Sequence, residues 1–199
     1  MKVKNYMKRN PVTIERDALL IEAARLMKEH SIRYLPVVED DQLVGFVTLT
    51  NLEELIFPSG TGNVHVHEVM IRNPITVNVN ASIEMAARLT HDYKIGGLPV
   101  LDKKKLVGII TASDLISAFI DIFGLRKSSS RLDVLVSKSS GVQDVTRILL
   151  EEGCEIICVS TESHSSRRKM YCFRLEKCNL GEIVKAVEDN GHKVVSVVD

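Results

Sequence analysis

Leu98-Pro99-Val100-Leu101-Asp102-Lys103-Lys104-Lys105-Leu106-Val107-Gly108-Ile109-Ile110-Thr111-Ala112-Ser113-Asp114 restates, 63 positions later, Leu35-Pro36-Val37-Val38-Glu39-Asp40-Asp41-Gln42-Leu43-Val44-Gly45-Phe46-Val47-Thr48-Leu49-Thr50-Asn51. Each stretch has two apolar runs around a charged turn, then a switch to helical spacing. Followed outward, the match runs without gaps from Met7–Phe57 onto Met70–Ile120, with 19 identities in 51 positions, against roughly three from average composition. Arg9-Asn10-Pro11 on Arg72-Asn73-Pro74 is among them. A unit written twice implies a pseudo-symmetric module with two equivalent clefts.

Within each unit a short β-rich piece, Val12-Thr13-Ile14 or Ile75-Thr76-Val77, precedes Asp17 or Asn80, which the pattern places as the cap of a helix. Leu20, Ala23, Ala24 and Met27 form that helix's apolar stripe, matched by Ile83, Ala86 and Ala87. A hairpin follows, then a second helix carrying Leu52, Leu55 and Ile56, or Leu115, Ala118, Phe119 and Ile122. Each unit reads β-α-β-β-α. The predicted division is residues 1–57 and 69–124 as repeats, 58–68 as connector, 125–130 as linker and 131–199 as a different domain. In that last part Arg131–Ser137, Glu155–Ser160, Lys169–Leu175 and Val194–Val198 read as strands. Val142–Glu152 and the stretch Leu180–Val187 read as helices, stopped by Gly153 and Gly191. The order is βαββαβ, so the whole chain is of α/β (α+β) class.

With 199 residues and 45% hydrophobic content, the chain has material for one or two packed domains. Twenty-six basic residues balance 26 acidic ones, so no global field recommends nucleic acid or an anionic membrane. No signal-like or membrane-length apolar run is present, and a cytoplasmic location is expected. The four cysteines, Cys154, Cys158, Cys172 and Cys178, lack CxxC spacing, which argues against a zinc cage or a disulfide framework and for reduced strand and core residues.

The doubled pattern Asn-Pro-x-Thr, helix, Leu-Pro-Val, then Gly-x-x-Thr-x-x-(Asp/Asn)-Leu resembles the CBS domain, and the pair resembles a Bateman module over residues 1 to 124. The βαββαβ segment resembles an ACT-type ferredoxin-like regulatory domain, and the arrangement as a whole is similar to bacterial acetoin-utilisation accessory proteins. Strand-to-helix turns suit phosphates, a threonine hydroxyl can donate to phosphate oxygens, and a carboxylate can accept both ribose hydroxyls. The resemblance implies those roles for the Thr-x-x-Asp element and two ligand sites. The first would combine Thr111, Ser113 and Asp114 with Thr13, Ala18, Arg33, Tyr34, Leu35 and Pro36. The second would combine Thr48, Thr50 and Asn51 with Thr76, Ala81, Gly96, Gly97, Leu98 and Pro99. The first keeps a carboxylate and the Arg33 cation and is expected to bind nucleotide more tightly. The second lacks both, although Gly96-Gly97 leaves room for a bulkier ligand. The implied ligand is an adenine nucleotide, AMP foremost, with ADP, ATP or S-adenosylmethionine as competitors; no cofactor is required. A homodimer is expected, and an unidentified protein partner fits the same reading.

Plainer readings compete. Thr50 and Glu53 have capping-box spacing, and Asp114 suits a helix first turn for its charge alone. His65-Val66-His67 would set two imidazoles on one side of an extended strand, without a third metal ligand. Arg167-Arg168-Lys169 is either an anion patch or a charged turn, and Ser139-Ser140-Gly141 either an amino-acid site or a structural turn. No nucleophile-base pair, metal cluster or P-loop proposes an enzyme, so no catalytic residue is assigned. An assembly protein with vestigial clefts, associating through Phe119, Ile122 and Phe123, is the remaining alternative.

Overall fold

The computed structural model describes residues 1–52, 64–126, 128–136, 141–165 and 168–198, in two compact units, Met1–Ala118 and Phe119–Asp199. In the first unit the repeat is visible as paired elements. Strand β1 (Lys8–Arg9) and β2 (Ile14–Glu15) lead to the helix Leu20–Glu29 and the hairpin β3 (Tyr34–Glu39) and β4 (Gln42–Thr48). Their counterparts are β5 (Ile71–Arg72), β6 (Val77–Asn78), the helix Ile83–Asp92, β7 (Gly97–Asp102) and β8 (Lys105–Thr111), followed by the helix Ala112–Ile122. Helical residues 49–52 stand where that last helix begins in the second copy.

Strand order is β2-β3-β4-β8-β7-β6, with β5 added to β4 and β1 to β8. The two hairpins meet through the single pair Gln42↔Lys105. Each repeat therefore lends its opening segment to the other. Val3 N donates to Ala81 O at 2.9 Å, and its counterpart Val66 N donates to Ala18 O at 2.9 Å. Met7 and the Lys8 carbonyl lie on Gly108 as Met70 lies on Gly45, so the shared Met and Leu-Val-Gly identities mark where the opening segment crosses. At Gly108 an added Cβ would sit 2.7 Å from the Lys8 oxygen, closer than backbone tolerates.

The other identities have local causes. Asn10 and Asn73 adopt φ of 49° and 51° immediately before Pro11 and Pro74, a left-handed turn that asparagine enters at lower cost than most residues. Both hairpin turns have positive φ at their two central residues, Asp40-Asp41 and Lys103-Lys104, the geometry that matches strand twist. Leu20, Ala23, Met27, Leu35, Val37, Val47 and Leu52 are buried in the first repeat, and Ile83, Ala86, Leu98, Val100, Ile110, Leu115 and Ala118 in the second. Leu55 and Ile56 lie outside the described residues.

Asp17 and Asn80 do not cap the helices. Those helices start three residues later, with Leu19 and Ser82 in the cap position. Asn80 instead donates its N–H to Asn78 Oδ1, closing a local turn before the helix can begin. Ser82 Oγ accepts from Met85 N at 3.2 Å, whereas Leu19 has no side chain able to cap. Ser82→Ala is expected to cost about 1 kcal/mol, read as an earlier urea midpoint with an unchanged slope. His65 is likewise a cap and not a strand residue. Its N–H donates to Glu68 Oε1 at 2.7 Å, and the residues after it wind into the short helix Val66–Val69, which crosses from the predicted connector into the second repeat. The His65 and His67 rings stack at 5.6 Å.

The second unit contains β9 (Ser129–Leu135), the helix Gly141–Glu151, β10 (Ile156–Ser165), β11 (Arg168–Glu176), the helix Leu180–Asp189 and β12 (Lys193–Val198). This is the predicted βαββαβ order. The sheet runs β10-β11-β9-β12 with every pair antiparallel. One face is closed by the two helices over Leu132, Val134, Phe173 and Leu175, which pack with Val145, Leu149, Ile183 and Val187. Gly153 and Gly191 end the helices with φ of 76° and 84°. Ser129 and Ser130, predicted as linker, are strand. Arg174 donates to Ser129 Oγ at 2.8 Å, and Ser130 is fully buried opposite Leu175. Phe119 and Ile122 are half-buried, while Phe123 is 39% exposed. Ser139, Ser140 and Arg167 lie outside the described residues.

Candidate functional site

Two clefts open at the strand-to-helix turns of the first unit. The first, about 160 Å³, is lined by Lys8, Ser31, Ile32, Arg33, Tyr34, Ile109, Thr111, Ser113 and Asp114. The second, about 350 Å³, is lined by Tyr34, Phe46, Thr48, Thr50, Ile71, Asn73, Pro74, Ile75, Lys94, Ile95, Gly96 and Gly97. Subtracting the repeat offset turns Ile71, Lys94, Ile95, Gly96 and Gly97 into Lys8, Ser31, Ile32, Arg33 and Tyr34. The clefts are therefore copies of one site, built each time from both repeats.

The turns themselves are tightly capped. Thr111 N and Oγ1 both donate to Asp114 Oδ2, at 2.8 and 2.6 Å. In the other copy Thr48 N and Oγ1 donate to Asn51 Oδ1 at 3.3 and 2.7 Å, and Asn51 N returns a bond to Thr48 Oγ1 at 3.3 Å. The next amide in each copy is satisfied from the partner strand: Ala112 N by Gly96 O at 3.0 Å, and Leu49 N by Arg33 O at 2.9 Å. Thr48, not Thr50, is thus the cap. Thr50 lies one residue inside the helical segment and lines the second cleft, and Glu53, its expected capping partner, is outside the described residues.

Of the expected residues, the first cleft brings together Arg33, Tyr34, Thr111, Ser113 and Asp114, and the second Thr48, Thr50, Gly96 and Gly97. Leu35 and Leu98 are fully buried, and Pro36 and Pro99 are buried beside them in β3 and β7, so these four face packing and not a cleft. Thr13, Thr76, Ala18 and Ala81 stand outside the linings. The two alanines contribute backbone, through the carbonyls that hold Val66 and Val3. Asn51 is engaged with Thr48 and does not line the second cleft.

Sequence reasoning missed both lysines. Lys8 comes from the crossed-over opening strand, and Lys94 gives the second cleft the cation it was expected to lack. Lys94 has φ of 53° in the turn after the helix Ile83–Asp92, where glycine is usual. The available signal was its alignment with Ser31 under the repeat, the same turn in the other copy. The space expected from Gly96-Gly97 is occupied from the other repeat. A Cβ on Gly96 would overlap Tyr34 Oη, and one on Gly97 would lie 3.0 Å from the Tyr34 ring. That ring stacks on Phe46 at 5.9 Å and 5°. Phe46 replaces Ile109 of the first cleft, so the second is aromatic while the first carries Lys8, Arg33 and Asp114. Among the described residues no three His, Cys, Asp or Glu side chains cluster as a metal site.

Two interlocked α/β repeats with a cleft at each strand-to-helix turn define a paired module. The CBS domain family matches residues 3–57 and 66–121, and the chain belongs to that family. Among solved structures, it is similar to the acetoin utilization protein AcuB, so described for Vibrio cholerae, with 34% identity and a TM-score of 0.57 over 63% of this chain and 95% of that one. The CBS domain pair of MJ0100, in complex with 5-methylthioadenosine and S-adenosyl-L-methionine, is 29% identical with a TM-score of 0.56, covering 64% of this chain and 98% of that one. CBSX2 in complex with AMP is 30% identical with a TM-score of 0.54, covering 61% and 97%. The chain spans only 27% of the inosine-5'-monophosphate dehydrogenase of Korarchaeum cryptofilum, at 31% identity, and 23% of the L-aspartate semialdehyde sulfurtransferase of Methanocaldococcus jannaschii, at 29%. No helix among the described residues is long and apolar enough to cross a membrane.

Proposed function

We infer that this chain is a non-catalytic regulator whose CBS pair holds an adenosyl ligand, AMP foremost, and whose repeats shift their balance on binding. The observation that carries this reading is the pair of repeat-related clefts at capped Thr-x-x-(Asp/Asn) turns, the first lined by Lys8, Arg33 and Asp114. Bound AMP in CBSX2, and S-adenosyl-L-methionine and 5-methylthioadenosine in the MJ0100 pair, support the ligand class.

The two clefts divide the chemistry. A phosphate is served at the first, between two cations and beside a helix start. Its volume is below the roughly 300–1,000 Å³ of ligand pockets, so a nucleotide there is enclosed only in part. The second cleft lies within that range, and its aromatic wall suits the nucleoside portion, with Lys94 as its cation. AMP binds the first cleft more tightly, and ADP and ATP compete for it. S-adenosylmethionine, lacking phosphate, gains less from Arg33.

Calorimetric titration of the full chain with AMP, ADP, ATP and S-adenosylmethionine tests the reading. Saturable micromolar binding supports it, and turnover of the bound nucleotide would make the protein an enzyme instead. Arg33→Ala is expected to weaken AMP about fivefold and adenosine little, as for a half-solvated charge contact. Equal effects on both would remove the phosphate assignment.

The C-terminal unit is read as a ferredoxin-like, ACT-type domain that receives the binding signal, on the strength of its βαββαβ order and sheet order. A cytoplasmic homodimer linked to acetoin or related carbon metabolism completes the proposal, the link resting on the likeness to AcuB. The competing assembly reading is favoured by the caps: Thr48, Asn51, Thr111 and Asp114 all have partners without any ligand. An obligate dimer that binds none of the four ligands would support it.

A further inference from the structure

In the C-terminal unit Cys154 and Cys178 place their Sγ atoms 2.8 Å apart. Cys154 follows the Gly153 turn, its amide anchored to Leu149 O at 2.9 Å. Cys178 immediately precedes Asn179, the cap of the helix Leu180–Asp189. The two residues flank the open end of the β10–β11 hairpin, where one helix leaves the sheet and the next begins. Cys154 is 4% exposed within the core cluster, and Cys178 is half-buried at its margin. Less than ~1 Å of approach would bring the sulfurs to the ~2.05 Å of a covalent bond. Cys158 and Cys172, on β10 and β11, have no such sulfur partner among the hydrogen bonds of the described residues.

We propose that Cys154 and Cys178 are a reversible redox modification site, closing an intramolecular disulfide that clasps the base of the β10–β11 hairpin to the start of the final helix. The co-reactant is a small-molecule disulfide. Cys178, the less buried of the two residues, loses its proton and attacks one sulfur of that disulfide, expelling one thiol and forming a mixed disulfide. Cys154 then gives up its proton and attacks the Cys178 sulfur, expelling the second thiol. Two protein thiols are oxidised and one external disulfide is reduced to two thiols. Burial, and then the hydrogen bond to Cys178, push the Cys154 thiol up to about 12. This suits the order of events: Cys154 is a poor first nucleophile, and its reaction depends on a sulfur already in contact. An isolated buried cysteine would behave as an inert small apolar residue. The site is independent of the adenosyl-ligand reading.

The test is incubation of the full chain with oxidised glutathione, followed by alkylation of the remaining thiols, intact mass and peptide mapping. The expected product has lost its two thiol hydrogens, joins the Cys154 and Cys178 peptides, is alkylated at Cys158 and Cys172, and reverts with dithiothreitol. Cys154→Ala, which keeps a small apolar side chain in the core, is expected to trap glutathione on Cys178. Full alkylation of all four cysteines, a glutathione adduct that persists in the wild type, or joining of Cys158 to Cys172 overturns the proposal.

Discussion

Gly108→Val is expected to destabilise the first unit by about 3 kcal/mol, lowering its thermal midpoint by roughly 10 °C. The cause is the crossing of the opening strand. β1 pairs with β8 through Lys8↔Ile109 and Arg9↔Gly108, and the approach is close enough that a Cβ at Gly108 would sit 2.7 Å from the Lys8 carbonyl and 2.8 Å from Met7 Sδ. Backbone cannot yield there without breaking the pairing. Lys8 also lines the first cleft, so the variant is expected to lose AMP affinity along with stability. Gly45→Ala is the internal control. Its Cβ meets the Met70 side chain, whose flexible end can turn away, and the expected cost is about 1 kcal/mol. Calorimetric unfolding of both variants checks the pair, and equal midpoints would show that β1 does not depend on the absent side chain.

Asp114→Ala is expected to weaken AMP binding between tenfold and a hundredfold, the range for hydrogen bonds to a charged group. It is also expected to cost about 1 kcal/mol of stability, because Oδ2 holds both Thr111 N and Oγ1. The two effects are separable. Asp114→Asn reproduces the arrangement already present at Asn51, where an amide oxygen accepts from Thr48 N and Oγ1. It should therefore retain stability while losing the charge proposed to hold ribose hydroxyls. Titration and denaturation of the two variants side by side provide the reading. Unchanged affinity in Asp114→Ala would reduce the residue to a helix cap.

Much of this architecture is legible along the chain because its causes are local. Asn10 and Asn73 before proline, and Gly153 and Gly191 past their helices, take positive φ that few other residues adopt cheaply. The exceptions are also instructive. Asp17 and Asn80 are good caps in isolation, but the turns before the helices run further than the composition suggests, and Ser82 takes the role. Ser129 and Ser130 look like linker, yet Ser130 is fully buried where β9 meets β11. Arg33, Thr111, Ser113 and Asp114, expected together from the motif, do line one cleft, Arg33 from just before β3 and the others from one strand-to-helix turn. Leu35 and Pro36 belong to β3, but they point into packing.

The amino-acid sequence by itself determined the doubling, the βαββαβ order of the second unit and the equivalence of the two clefts, because the 63-residue offset survives any folding of the repeats; the opening strands β1 and β5 and the helix Val66–Val69 were not read from it. Only the tertiary structure decided the exchange of opening segments, with Val3 on Ala81 and Val66 on Ala18. The same exchange brings Lys8 to the first cleft. Tertiary contact also decided that Tyr34, adjacent to Arg33 in the chain, turns its ring against Gly96 and Gly97 and gives the second cleft an aromatic wall. A repeat states which positions are equivalent. Which copy's side chain fills the space between them depends on sizes that meet only when the two copies pack: a tyrosine on one side and two glycines on the other.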